Sequence, residues 1–292
     1  MPRPELAAIG VKYRRTPFMA IGKDVYCDTR LILKTLENLY PNDKLGSSDP
    51  VNAALEELLE KWHAEASLFA QATTVMPRDL PLLKDPKFLK DREDFSGVPW
   101  NQQAIDRRRP EALAYIRSAF AFLEHTLLAD SRSWILGGDR PTLADIQAIW
   151  VAHWLNTLPG ALPEDIISAK AYPKVYAWLQ RFDAAVLTAK KKAARPVVLK
   201  SNEAAERVLG GQLLTTTAGI DSADPQKELL VGTEVEVGPT DSGRRHKDTG
   251  KLLGLSLHEI VIKLSNGVRL HTPRTSFSVR PRQGGADPHS KL

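Results

Sequence analysis

The sequence predicts an α+β chain in three stretches: a helix–hairpin–helix start, a long all-helical middle and a short-stranded β module at the C-terminal end. Three observations carry this. Apolar residues recur every three or four positions from about residue 51 to about residue 182, the period of amphipathic helices. From Leu229 the period drops to two, as in half-buried strands. The charge divides near the same place, since residues 1–187 hold 23 basic and 24 acidic side chains and residues 188–292 hold 17 and 11. The whole positive surplus is C-terminal, which marks the last third as a separate unit.

The elements follow in order. Pro4 to Ile9 reads as a short helix. Thr16 to Ile21 and Val25 to Cys27 read as strands joined at Gly22-Lys23-Asp24, and Asp28-Thr29 opens a helix through Leu31, Ile32, Leu36 and Leu39. A lone hairpin is marginal in water, so these strands need a partner elsewhere in the chain or upstream. Val51, Leu55, Leu58, Leu59, Trp62, Ala66 and Phe69 predict one long amphipathic helix. Met76 to Trp100 carries Pro77, Pro81, Pro86, Pro99 and Gly97 and is expected to be an irregular excursion wrapping over the bundle. The next helix runs from Pro110, in its first turn, to Leu128, with Leu113, Ile116, Phe120, Leu123 and Leu127 on one face.

Thr142-Leu143-Ala144-Asp145 has the form of a capping box, and the helix behind it, with Ile146, Ile149, Trp150, Ala152 and Trp154, is apolar nearly all round and belongs at the centre of a bundle. Tyr172 to Phe182 forms a further helix packed through Val175, Trp178, Leu179 and Phe182, and a basic connector follows. Val231, Thr233, Val235 and Val237 then make a strand, PTDSG a turn, and Ile260 to Leu264 a second strand. Asn266-Gly267 suits a type I′ hairpin returning along Val268 to His271, and a last strand surrounds Phe277 and Val279. Four or so short strands indicate a small barrel-like or curled sheet. The expected organisation is a segment 1–42, a helical domain 50–187, a basic linker or helix 188–228, a β-rich domain 229–281 and a disordered tail 282–292.

Composition narrows the function classes. With 292 residues, 42% hydrophobic and 26% charged, the chain has the balance of a folded protein and the length of two domains. Its mean hydropathy is -0.28. The longest uncharged stretch, Ile146 to Pro163, contains Gln147, His153, Asn156 and two prolines and falls short of the run of about 20 apolar residues that a span requires. No membrane partner is expected. A single cysteine, Cys27, forms no intramolecular disulfide, and the start MPRPELAAIG has no long apolar signal core, so the expected compartment is the cytoplasm.

Four segments carry a family resemblance: TPFMAIGKDVYCDTRLILKTLE, GGDRPTLADIQAIW, YPKVYAWLQRF, and KDREDFSGVPW together with LHEIVIKLSNGVRLHTPRTSFSV. The chain resembles the glutathione transferases, and in particular the fungal transferase-like proteins with an extra β-rich domain after the helical one. The resemblance implies a partial thioredoxin-like N-terminal segment, a transferase-type all-α bundle and a small β-barrel-like module. It implies glutathione as co-substrate, no metal, a hydrophobic electrophile as second substrate and a homodimer. The reaction would be addition of the glutathione thiolate to an electrophilic carbon. In this family the thiol-activating Tyr, Ser or Cys lies in a strand–helix–strand before the matched segment. The thioredoxin-like domain therefore reads as truncated, no catalytic residue is named, and enzyme status depends on the missing part.

The resemblance assigns glutathione to Thr16, Pro17, Asp28 and Thr29. The zwitterionic γ-glutamyl end needs an anion for its ammonium, supplied by Asp28, and donors for its carboxylate, supplied by the Thr29 hydroxyl and the following helix N–H groups. Thr16, before Pro17 as a cis-proline, would pair its main chain with the cysteinyl backbone of the ligand. On spacing alone, Asp28-Thr29 reads equally well as an ordinary helix cap. Cys27 could form a mixed disulfide but reads as a small buried hydrophobe.

The competing reading is a noncatalytic binding or scaffold protein that uses the helical domain and the basic β module, through Lys190, Lys191, Lys192, Arg195, Arg244, Arg245 and Lys247, for an acidic protein or nucleic acid. The module lacks interleaved exposed aromatics, which argues against base stacking on nucleic acid. His246, His258 and His271, spaced 12 and 13 apart without a cysteine, fit no compact metal motif. Trp150, Trp154 and His153 read as core and cleft lining, Arg107 to Arg109 as a solvated helix start, and neither a phosphate-binding glycine loop nor a Ser-His-Asp set is apparent.

Overall fold

Extended segments from opposite ends of the sequence share one sheet. The computed structural model describes residues 3–65, 67–214 and 219–282. Near the start, β1 (Phe18–Ile21) and β2 (Asp24–Cys27) form an antiparallel hairpin. Near the end come β3 (Glu234–Pro239), β4 (Asp248–Leu255), β5 (Glu259–Lys263), β6 (Arg269–Pro273) and β7 (Phe277–Pro281). The seven lie in the order β1-β2-β6-β5-β4-β3-β7, and all neighbours are antiparallel except β2 and β6. The hairpin thus finds its missing partner in β6, through the pairs Asp24–Arg269, Val25–Leu270 and Tyr26–His271.

This arrangement corrects the expected boundaries. Residues 229–281 do not stand alone as a closed barrel: the sheet is open, with β1 and β7 at its edges, and it includes the hairpin expected within 1–42. Contacts divide the chain into one unit of residues 1–39, 91–98 and 197–292 and a second of residues 40–90 and 99–196. The expected disordered tail lies, apart from Arg282, outside the described residues.

In the sheet-bearing unit, Val25, Cys27, Val235, Val237, Leu252, Ile260, Ile262 and Leu270 build the core with Ile9, Val11 and Tyr13. α1 (Pro4–Ala8) packs on α9 (Ser201–Gly210), a helix within the expected linker. β4 escaped sequence reading because Gly250 and Gly254 dilute its apolar alternation. Gly250 is required, since a Cβ there would stand 2.4 Å from the Lys263 carbonyl oxygen on β5. The turn between β5 and β6 is not type I′. Only Gly267 of the Asn266-Gly267 pair has positive φ, at 86°, while Gly267 N–H donates to Leu264 C=O (3.0 Å) and Leu264 N–H to Val268 C=O (2.8 Å). That is a type I turn closed by a left-handed glycine.

The helical unit holds α3 (Pro50–Ala64), α4 (Leu68–Thr74), α6 (Gln102–Phe122), α7 (Leu143–Asn156) and α8 (Pro173–Lys192). The single long helix expected from residue 51 is broken: Ser67 adopts a left-handed φ of 63° between α3 and α4. Val51 and Leu58 are exposed, and α3 buries Leu59 with the polar Glu56 and His63. Pro110 lies inside α6 instead of at its start, because Asn101 Oδ1 caps the helix at Ala104 N–H (2.9 Å). The 76–100 excursion contains α5 (Pro86–Ser96), whose residues from Asp91 on belong to the sheet-bearing unit. There Asp91 pairs with Arg14, and Phe95 C=O accepts from Gly243 N–H (2.8 Å).

α7 is the apolar central helix, burying Ala144, Ala148, Ile149, Val151, Ala152 and Leu155. Its capping box is formed, and Asp145 does more than cap. One carboxylate oxygen accepts from Thr142 N–H and O–H, both at 2.8 Å, and the other from Ile135 N–H and the Trp178 indole, both at 2.9 Å. Glu124, just past α6, caps α8 in turn by accepting from Lys174 and Val175 N–H at 3.0 Å. The basic run Lys190–Lys192 is the last turn of α8, where positive charge favours the helix dipole.

Candidate functional site

The hairpin register sets the geometry of the expected site. Phe18 pairs with Cys27, so Thr16-Pro17 enters and Asp28-Thr29 leaves at the same end of the β1–β2 ladder. The Thr16–Pro17 peptide is cis. Asp28 has a φ of 74°, a left-handed conformation that few residues other than glycine adopt. Its carbonyl accepts from Ile32 N–H (3.1 Å) and starts α2 (Thr29–Leu39). Among the described residues, however, its carboxylate makes no hydrogen bond, so it is not spent on the N–H groups of the helix as an ordinary cap would be. Asp28 is half-buried, whereas Thr16, Pro17 and Thr29 are exposed.

Two neighbours define the local electrostatics. Arg15 pairs with Asp241, donates to Ser242 C=O (3.1 Å) and lies over the Tyr13 ring at 5.7 Å. Cys27 is wholly buried; burial, with Asp28 and Asp248 adding to it, pushes its thiol well above the usual range. A thiol so placed holds almost no thiolate, and the mixed-disulfide role has no support.

Sequence reasoning missed a buried charged cluster one strand away. Asp24 on β2 accepts from Arg269 Nε (2.5 Å) and Nη2 (2.7 Å), from Leu214 N–H (2.8 Å), and lies 2.8 Å from His271 Nε2. His271 Nδ1 is 2.6 Å from Glu259 Oε1, and the Tyr26 ring stacks on the imidazole at 4.3 Å. Burial alone would raise the Asp24 carboxyl, but hydrogen bonds from His271, Arg269 and Leu214 hold it well below the usual carboxylate range. Burial pushes the Tyr26 hydroxyl up to about 12, with Asp24 and Glu259 adding to the effect. The partners of Asp24 lie 190 to 247 positions from it, so no sequence spacing could have announced them.

His246 contacts Arg14 Nη1 at 2.9 Å, and among the described residues no group of three His, Cys, Asp or Glu side chains is placed to hold a metal ion. No helix among them is long and apolar enough to cross a membrane. His153 bonds Asp183 at 2.7 Å, and the Trp150 and Trp154 rings both pack tilted against Phe69, at 5.6 and 6.2 Å between centroids. Arg109 lies within α6, donating to Val75, Met76, Gly160 and Ala161 carbonyls at 2.7 to 3.3 Å, so it is a structural clamp and not a solvated helix start.

The chain, with its cis-proline hairpin and its all-α unit centred on a capped apolar helix, has a glutathione-transferase-like fold by its likeness to a solved structure. A GST-like protein from Pseudomonas syringae superposes with a TM-score of 0.60 at 20% identity, over 97% of this chain and 87% of that one. A glutathione transferase homologue from Sulfitobacter, solved with bound glutathione, matches with a TM-score of 0.44 at 20% identity over 61% of this chain and 74% of that one. A glutathione S-transferase from Rhodospirillum rubrum F11 matches with a TM-score of 0.45 at 16% identity over 71% and 83%. The first of these carries the fold comparison. Residues 71–191 match a domain of unknown function, DUF7962. No curated protein matches the chain.

Proposed function

We propose that the protein binds glutathione at the open end of the β1–β2 hairpin and, as a transferase-like protein of the fungal subgroup with a C-terminal β-rich extension, serves conjugation of glutathione to an electrophilic small molecule where a strand–helix–strand bearing the thiol-activating residue accompanies it. The observation that carries the reading is the convergence of Thr16, cis-Pro17, Asp28 and Thr29 at one hairpin end, with the Asp28 carboxylate unpaired among the described residues. A left-handed aspartate beside a helix start, with no hydrogen bond to its carboxylate among the described residues and the Arg15 guanidinium as its charged neighbour, is a group that a ligand ammonium can reach. Asp28 would meet the γ-glutamyl ammonium, Thr29 and the first N–H groups of α2 its carboxylate, and the Thr16 main chain the cysteinyl backbone. The buried Cys27 has no part in the chemistry.

Calorimetry tests this directly. Asp28→Ala should weaken glutathione binding by about 1.5 to 3 kcal/mol, the worth of a charged hydrogen bond. Equal affinity in the variant and the native chain would remove the site.

A further inference from the structure

We propose that His271 is held as an imidazolium between two carboxylates and is the clasp that fastens the β1–β2 hairpin to β5 and β6, so that it acts as a positioning residue for Asp28 and Thr29. The protonation state follows from the contacts. A carboxylate only accepts hydrogen bonds, and a neutral imidazole has a single N–H. With Nδ1 2.6 Å from Glu259 and Nε2 2.8 Å from Asp24, a neutral ring would press one nitrogen lone pair against a carboxylate oxygen. Both nitrogens must carry protons. Asp24 remains ionised because Arg269 and Leu214 N–H fill its other acceptor sites. Asp24, Glu259, Arg269 and His271 then form a charge-balanced quartet, with Asp24, Arg269 and His271 buried.

The quartet sits where the backbone connection is short. β2 meets β6 over three residue pairs, and two of them, Asp24–Arg269 and Tyr26–His271, are members of the cluster or stack on it. Asp24 is followed by Val25, Tyr26 and Cys27, and then by Asp28, so movement of β2 carries the candidate site with it. The charged groups facing His271 are Asp24 from β2, Glu259 from β5 and Arg269 from β6, with the Tyr26 phenol stacked on the ring. α2, which also packs on β2 and β6, meets the Tyr26 ring with Leu31 and Ile32, while Arg30, Lys34 and Glu37 occupy its half-exposed and exposed positions.

The sign of the pH dependence is set by these contacts. Burial by itself would lower the His271 value, but its hydrogen bonds to Asp24 and Glu259 outweigh burial and hold it above 6.5. The clasp is therefore complete below that ordinary value and is lost as pH rises through the folded one. The positioning role, though not the clasp, rests on the glutathione reading.

The test uses the full chain. Long-range proton–nitrogen correlation spectra from about pH 6 to about pH 10 should show both ring nitrogens of His271 protonated at neutral pH and titrating on the alkaline side. A neutral tautomer at neutral pH overturns the proposal. Glu259→Gln, which keeps an acceptor and removes a charge, should lower that titration by about one pH unit; an unmoved titration also overturns it. Above the transition, amide exchange at Val25 and Tyr26, corrected for intrinsic rate, should quicken by about tenfold relative to β3 and β4. Unchanged relative exchange shows that His271 clasps nothing. Glutathione affinity separates the two readings: a clasp that opens with no binding at any pH overturns the proposed function alone, and binding indifferent to an opened clasp overturns the positioning role alone.

Discussion

Asp24 and Asp145 are both fully buried carboxylates, one in each unit, and they are satisfied in opposite ways. Asp145 is met by neutral donors from its own unit: Thr142 three positions away, Ile135 ten and Trp178 thirty-three. Asp24 is met by a guanidinium and an imidazole ring about 245 positions away. The first arrangement locks a helix start to its immediate surroundings and can form as soon as the bundle does. The second joins the two ends of the chain through charges withdrawn from water, so it depends on completed tertiary structure and on proton concentration.

The largest expected break is at Asp24. Asp24→Ala leaves Arg269 and His271 buried without their carboxylate and should cost about 3 to 5 kcal/mol in urea unfolding. Acid should reach the same contact in the native chain. The Asp24 value is depressed, so its contribution is present above the unfolded value near 3.8 and is lost as pH falls through the folded one. A loss below about 1 kcal/mol for the variant would mean that the quartet does not hold the hairpin. Asp145→Ala should come next, at about 2 to 4 kcal/mol, because the N–H groups of Ile135 and Thr142 and the Trp178 indole lose their acceptor together. Near-native stability would show that water replaces the carboxylate. Thr142→Ala should be smallest, about 1 kcal/mol, since it removes the hydroxyl and leaves the backbone bond to Asp145. An unchanged midpoint would show that the hydroxyl adds nothing to the cap.

The same contrast explains what could be read in advance. The Thr142–Asp145 box was legible because its two members stand three positions apart, and the central α7 and the packing face of α8 because the apolar period alone marks a buried helix face. The break at Ser67 was not, because the apolar spacing continues across it while the backbone turns left-handed. Pro110 misplaced the start of α6 because a proline is far more comfortable in a first turn than in a helix interior, and only the Asn101 cap upstream shows where the helix begins. β4 was lost because its two glycines dilute the apolar alternation, and the close backbone approach that Gly250 serves leaves no trace in hydropathy. Thr16, Pro17, Asp28 and Thr29 were grouped only by the family resemblance, and that the Asp28 carboxylate makes no hydrogen bond among the described residues was not legible at all, since an aspartate before a helix ordinarily caps it.

The sequence by itself determined the local matters: the α+β character, the helix–hairpin–helix start, the capped apolar helix and the place, though not the type, of the turn at Gly267. Each depends on neighbours three to ten positions away, a range over which side-chain period and backbone preference are written directly in the chain. Only the tertiary structure decided that the hairpin belongs to the sheet of the C-terminal strands, that His271 is part of a buried ionic quartet and that residues 91–98 leave the helical unit for the other. Those outcomes depend on which distant groups can satisfy one another once water is removed, and strand edges and buried charges carry no sequence mark of the partner that will complete them.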